Sequence, residues 1–166
     1  MSTRSCTTLY EGEHKNPHGT GARLVSLYRH HDGYPALAGA CLLDALRASK
    51  NATDALAMLL SHSYQATSYR PSVRMYELTT DAEDHGDLEH RYSAWHDGKG
   101  WHVRHEKRQT WTMDTWSRDE YTLAEFVACV NADRAGINLR LEEMRAKYPN
   151  EYKDAEGYPM CAEVLP

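Results

Sequence analysis

Between residues 88 and 107 the chain reads as two alternating segments joined by Asp97-Gly98-Lys99-Gly100, a pattern that specifies an antiparallel hairpin. Side chains on a strand alternate between faces. Leu88, His90, Tyr92 and Ala94 therefore fall on one face, and Glu89, Arg91, Ser93 and Trp95 on the other. On the second strand Trp101, Val103 and His105 alternate with His102, Arg104 and Glu106. One face is expected against helices. The Glu/Arg face is expected in water, joined by cross-strand ion pairs.

The flanking segments supply the helices. Thr122-Leu123-Ala124-Glu125 is a capping box, and Phe126, Val130, Ile137, Leu141, Met144 and Tyr148 recur behind it at helical spacing. This predicts one long helix over 122–148, or two broken near Gly136, ended by Pro149. Upstream, Arg23–His30 reads as a strand and Asp32-Gly33-Tyr34-Pro35 as a turn. Pro35 then opens a helix that runs to about Ser49. Leu37, Cys41, Leu42, Ala45 and Leu46 share one of its faces. Asn51 or Thr53 caps a second helix in which Leu56, Leu59 and Leu60 face inward. Val73–Thr79 and Thr110–Trp116 are predicted as further strands. The expected fold is α+β: a small antiparallel sheet of about four strands packed against helices, with a long C-terminal helix. Residues 23–148 form the domain, 1–22 a flexible arm and 149–166 a poorly ordered tail. Tyr28, Leu42, Leu46, Leu59, Tyr92, Val103, Phe126 and Val130 are the expected core.

Composition limits the function classes. A net charge of −5 argues against broad binding to a phosphate backbone, though a local basic patch remains compatible with it. No apolar stretch reaches membrane length, and 1–21 lacks the apolar segment of a secretory signal. The four cysteines are dispersed with no C-x-x-C pair, which fits a reducing, cytoplasmic setting. Eleven Tyr and four Trp against one Phe suit either strand positions or a half-exposed binding surface.

The densest set of chemically capable side chains is Tyr28-Arg29-His30-His31-Asp32-Gly33-Tyr34-Pro35, at a strand-to-helix turn. There Arg29 suits an anion, and His30 or His31 beside Asp32 suits acid/base work. The simpler alternative is that Arg29 and Asp32 only organise the turn. A second set is His85-Gly86-Asp87 followed by Glu89, His90, Arg91 and Tyr92. The binding candidates are therefore Arg29, His30, His31, Asp32, Tyr34, His85, Asp87 and Arg91, with the two loops expected close together. His90, His96 and His105 share a strand face but not a metal-ligand spacing, so no metal and no cofactor is expected. Neither a phosphate-binding G-x-x-x-x-G-K-[ST] loop nor G-x-S-x-G occurs.

Residues 27–35, Leu-Tyr-Arg-His-His-Asp-Gly-Tyr-Pro, resemble the opening motif of a family of small bacteriophage and prophage proteins. Its usual form is Tyr-Arg-His-x-Asp-Gly-Tyr-Pro at the end of a first strand. Residues 85–92, His-Gly-Asp-Leu-Glu-His-Arg-Tyr, are similar to a later strand of the same family. Many members carry Glu-Gly after the proline, where this chain has Ala36-Leu37. The resemblance implies a phage context, in the cytoplasm of an infected or lysogenic bacterium, and no reaction. It implies an accessory protein that binds and modulates a host protein or complex, for instance as an anti-defence inhibitor, and it leaves a homodimer open. Two alternatives stand beside it. One is a nucleotide-binding sponge or small phosphotransfer or hydrolytic enzyme built on Arg29, His31 and Asp32. The other is a minor virion or assembly protein.

Overall fold

A computed structural model describes residues 3–12, 22–65, 76–79, 86–110 and 114–162. Its sheet has six strands: β1 (Ser5–Glu11), β2 (Ala22–Arg29), β3 (Glu77–Thr79), β4 (His90–His96), β5 (Trp101–Thr110) and β6 (Thr115–Thr122). Their order is β3-β2-β1-β4-β5-β6. β1 and β4 run parallel, and every other neighbouring pair is antiparallel. The fold is thus α+β, but the sheet is mixed and larger than four strands.

The added central strand comes from the segment expected to be a flexible arm. β1 lies between β2 and β4, and Ser5 to Leu9 are all buried. Thr and Tyr favour the pleated backbone, so a strand here is physically sound despite its low hydropathy. The hydroxyls of Thr8 and Ser26 pair across the ladder at 3.0 Å. The last strand is also displaced from its expected place at 110–116: β6 runs from Thr115 directly into the following helix cap. Of the strand expected at 73–79, Glu77–Thr79 is present and 73–75 lie outside the described residues.

The hairpin forms at the expected turn. The Asp97 carboxylate accepts from the amides of Lys99 and Gly100 at 2.8 and 2.9 Å, and from His102 at 2.9 Å. These bonds, the two amides first, hold its pKa well below the carboxylate range.

Pro35–Gly39 form one π-helical turn that continues into α1 (Ala40–Arg47), and α2 (Ala52–Gln65) follows. The Asn51 side chain caps α2 by accepting from the Asp54 amide at 2.9 Å. The long helix α3 (Leu123–Lys147) is continuous through Gly136, which is exposed and where an isolated glycine costs only about 1 kcal/mol. Its capping box is complete: the Glu125 amide donates to Thr122 Oγ1, and the Thr122 amide donates back to the Glu125 carboxylate. Small residues at 36, 38, 39 and 40 let α3 lie against the π turn. A Cβ added at Gly39 would stand 3.3 Å from both Phe126 and Val130.

Leu9, Leu27, Tyr92 and Val103 on one sheet face meet Leu42, Leu46 and Leu59 of α1 and α2, and Phe126 and Val130 of α3. Seven of the eight expected core residues belong here. Tyr28 does not; it faces the opposite side with Cys6, Leu88 and Trp116. Leu88 joins that side because β4 begins only at His90, so the strand alternation does not reach it. The face expected in water does carry cross-strand ion pairs, Arg104–Glu120 and Arg118–Glu106, but they join β5 to β6. It also buries Trp95 and Arg104, with the Arg104 guanidinium 5.7 Å from the Trp95 ring centroid.

The buried part of α3 stops at Val130. Ile137, Leu141 and Met144, which continue the apolar stripe expected on this helix, are only half covered, and Tyr148 is exposed. The expected poorly ordered tail instead forms α4 (Pro149–Tyr152) and then a segment, 155–162, that is hydrogen-bonded along α3. Among the described residues no helix is long and apolar enough to cross a membrane.

Candidate functional site

Strand alternation separates the first motif. Tyr28 and Arg29 are neighbours on β2, so they point to opposite faces of the sheet. Arg29 turns under the helices and is only 2% exposed. Its Nε donates to the His31 carbonyl at 2.7 Å, and its Nη1 reaches Tyr76 Oη at 3.4 Å and Cys41 Sγ at 3.8 Å. No carboxylate pairs with it among the described residues. The guanidinium thus pins the loop from inside, and its donors point away from any surface anion. His30 and His31 are exposed, with His30 Nε2 3.3 Å from Glu77.

Asp32 adopts a left-handed backbone, φ 56°, which aspartate tolerates better than most residues. Its carboxylate accepts from the Tyr34 hydroxyl at 3.4 Å, and that hydroxyl lies 3.0 Å from the hydroxyl of Tyr158. Partial burial, the Tyr158 bond and the Asp32 charge together push the Tyr34 pKa well up.

The second motif meets the first at the start of β1. The Gly33 amide donates to the Thr3 carbonyl at 2.9 Å, and the amides of Glu89 and His90 both donate to the Arg4 carbonyl. The Tyr92 hydroxyl donates to the Gly33 carbonyl at 2.9 Å. The loops are therefore close, but their charged side chains are split between faces. Asp87 pairs with Arg4 at 2.8 Å and accepts from Tyr28 on the face away from the helices. Arg91 is on that face too, stacked 4.1 Å from the Trp116 ring centroid. His85 lies outside the described residues. Arg29 and Tyr34 therefore do not converge with Asp87 and Arg91 on one site.

What the fold does assemble is a cleft of about 510 Å³ between the second half of α3 and the sheet end that carries His90 and Lys107. Tyr34 is the one candidate from the first motif that lines it. The α3 wall carries Ile137, Leu141 and Met144, spaced so that they share a helix face. Lys107 and Arg140 stand exposed on the lining, and neither forms an ion pair among the described residues. Asp133 is committed elsewhere: its carboxylate accepts from the Ala36 amide at 2.8 Å, while Arg134 donates to the Ala36 carbonyl at 2.9 Å. The two side chains clasp both backbone groups of one residue at the start of the π turn, where the amide has no helical partner.

At the back of the cleft, His90 Nδ1 and His105 Nε2 are 2.8 Å apart, so one proton bridges two neutral rings. His105 also stacks on Tyr92 at 4.9 Å. Burial, with the charges of His105 and Lys107 adding to it, pulls His90 down to about 3. Burial likewise pulls His105 down to about 4, partly opposed by Asp119. His96 is at the far end of β4, edge-on to Trp101. Among the described residues no group of three His, Cys, Asp or Glu side chains is placed to hold a metal ion.

No protein-family model matches the chain, no curated protein matches its sequence, and no solved structure matches its fold.

Proposed function

We propose that this chain is a phage-type accessory protein that binds a host protein and modulates it, and that it docks through the cleft beside α3. The observation that supports this is the half-covered row Ile137, Leu141 and Met144 on the cleft wall, with Lys107 and Arg140 beside it, two exposed cations that form no ion pair among the described residues. Covering one aliphatic side chain fully is worth about 1.5–3 kcal/mol. Three half-covered ones give an anchor, and the cations select a neighbouring carboxylate and speed encounter. The fitting partner segment carries an apolar residue flanked by Asp or Glu. The phage context, and a host defence component as the target, rest on the resemblance of residues 27–35 and 85–92.

Affinity capture from a bacterial host lysate, followed by mass analysis of everything retained, tests the class of function. One host protein retained in stoichiometric amount agrees with the reading. A co-purifying nucleotide with no protein partner would replace it with the small-ligand alternative.

A further inference from the structure

The face of α3 next to the cleft wall already holds a peptide. Residues 155–162 lie along it without helix or strand structure. Asn138 grips the backbone of Tyr158 from both sides: its Oδ1 accepts from the Tyr158 amide at 2.7 Å, and its Nδ2 donates to the Tyr158 carbonyl at 2.9 Å. Two turns earlier Asn131 repeats this on Cys161, at 2.7 and 3.1 Å. Between them Arg134 donates to the Pro159 carbonyl, and Arg47 of α1 donates to the Ala162 carbonyl. Six hydrogen bonds therefore reach main-chain atoms over five residues.

The spacing explains the match. Seven helical residues advance about 10.5 Å along the axis. Three residues of an extended polyproline II chain advance about 9.3 Å. Asparagines seven apart on α3 thus face residues three apart on the tail. Burial in the tail follows the same three-residue period: Ala155, Tyr158 and Cys161 are half covered, while the residues between them are exposed. Gly157 permits the close approach, since a Cβ there would stand 2.8 Å from Asn138 Oδ1. The Tyr158 hydroxyl meets Tyr34, and its ring centroid is 6.0 Å from the Arg134 guanidinium. Contacts made mainly to the main chain recognise an extended conformation, and the seats of Gly157, Tyr158 and Cys161 add a sequence preference.

We propose that the α3 face formed by Asn131, Arg134 and Asn138 is a recognition site for an extended peptide, filled in cis by the chain's own C-terminal segment, and that an extended segment of a partner protein displaces that segment. The segment that fits has glycine directly before an aromatic residue, proline directly after it, and small residues three positions to either side. A tethered ligand competes at an effective concentration in about the millimolar range, so the tail suppresses weak partners and yields to strong ones. Its release also removes Tyr158 from Tyr34 of the 28–35 loop. The recognising side chains Asn131, Arg134 and Asn138 do not line the docking cleft, and the two sites meet at Tyr34, which lines the cleft and bonds Tyr158.

The test uses the full chain and a labelled peptide with the sequence of residues 155–162. Tyr158→Pro with Cys161→Pro removes both amide donors from the tail and leaves the α3 side chains intact. This opened chain is expected to bind the peptide at least about tenfold tighter than the wild type, whose tethered copy occupies the site. Adding Asn131→Ala and Asn138→Ala should return binding to background. Amide-exchange protection in β4 and β5 verifies that each variant is folded. An opened, folded chain that binds no better than wild type overturns the proposal, as does binding that survives loss of both asparagines. A concentration-dependent dimer with exchanged tails would assign the site to copies of this chain and overturn the partner reading.

Discussion

The hydroxyl of Tyr92 donates a 2.9 Å hydrogen bond to the carbonyl of Gly33, joining the two sequence motifs inside the core. Tyr92 is fully buried on β4, and Gly33 lies in the turn that ends β2. Tyr92→Phe leaves that carbonyl without its partner, in a place where water is scarce. The expected cost is about 1–3 kcal/mol in denaturant unfolding. A loss under half a unit would mean that the carbonyl finds another donor and that the link does not hold the loop.

Gly33 itself tolerates no side chain. An added Cβ would stand 2.6 Å from the Arg4 carbonyl carbon and 2.7 Å from the Ser5 amide nitrogen, both backbone atoms. Gly33→Ala must push the loop off β1, at a cost of about 1–3 kcal/mol. Loss of amide-exchange protection at Ser5–Thr7 should accompany it. Unchanged protection there would place the turn farther from β1 than described.

The buried histidine pair predicts an acid-sensitive fold. His90 is held down at about 3 and His105 at about 4, against 6.5 in the unfolded chain. Between pH 6.5 and about 4 the unfolded chain takes up protons that the native state refuses. Stability is therefore complete above pH 6.5 and falls as pH falls through that window. The slope is about 1.4 kcal/mol per pH unit for each proton, and the two steps belong to the pair. Urea midpoints at pH 7.5, 6 and 5 read it directly. His90→Gln with His105→Phe should flatten the dependence, and an unchanged slope in that variant would exclude the pair as its source.

The fold is legible in the sequence where two local signals agree. At 97–100 the turn residues coincide with alternation on both sides, and at 122–125 the cap coincides with helical periodicity. β1 leaves no local signal because Thr7, Thr8 and Ser5 look like solvent residues. Only pairing with β4, more than eighty positions away, makes them interior. For Tyr28 and Arg29 the signal was present: neighbours on a strand cannot share a face, so a joint site with Asp87 needed more than proximity. The spacing of Ile137, Leu141 and Met144 puts them on one face of a helix, as the structure has them. Periodicity says which side chains stand together and is silent on whether anything covers them, so the stripe alone does not separate a cleft wall from core. The clasp of Asp133 and Arg134 on Ala36 spans almost a hundred residues and leaves no local trace.

The docking claim is tested most directly by comparing charges placed on different sides of one helix. Ile137→Glu with Met144→Glu puts carboxylates on the cleft wall, whereas Leu139→Glu places one at a position 64% exposed that does not line the cleft. Affinity for the captured host protein is measured by titration, with thermal melts run beside it. The account predicts a fall of at least about tenfold for the cleft variant, equivalent to about 1.4 kcal/mol, with Leu139→Glu binding as wild type and all three chains folded. Equal affinity for the cleft variant and the wild type, with both folded, would contradict it.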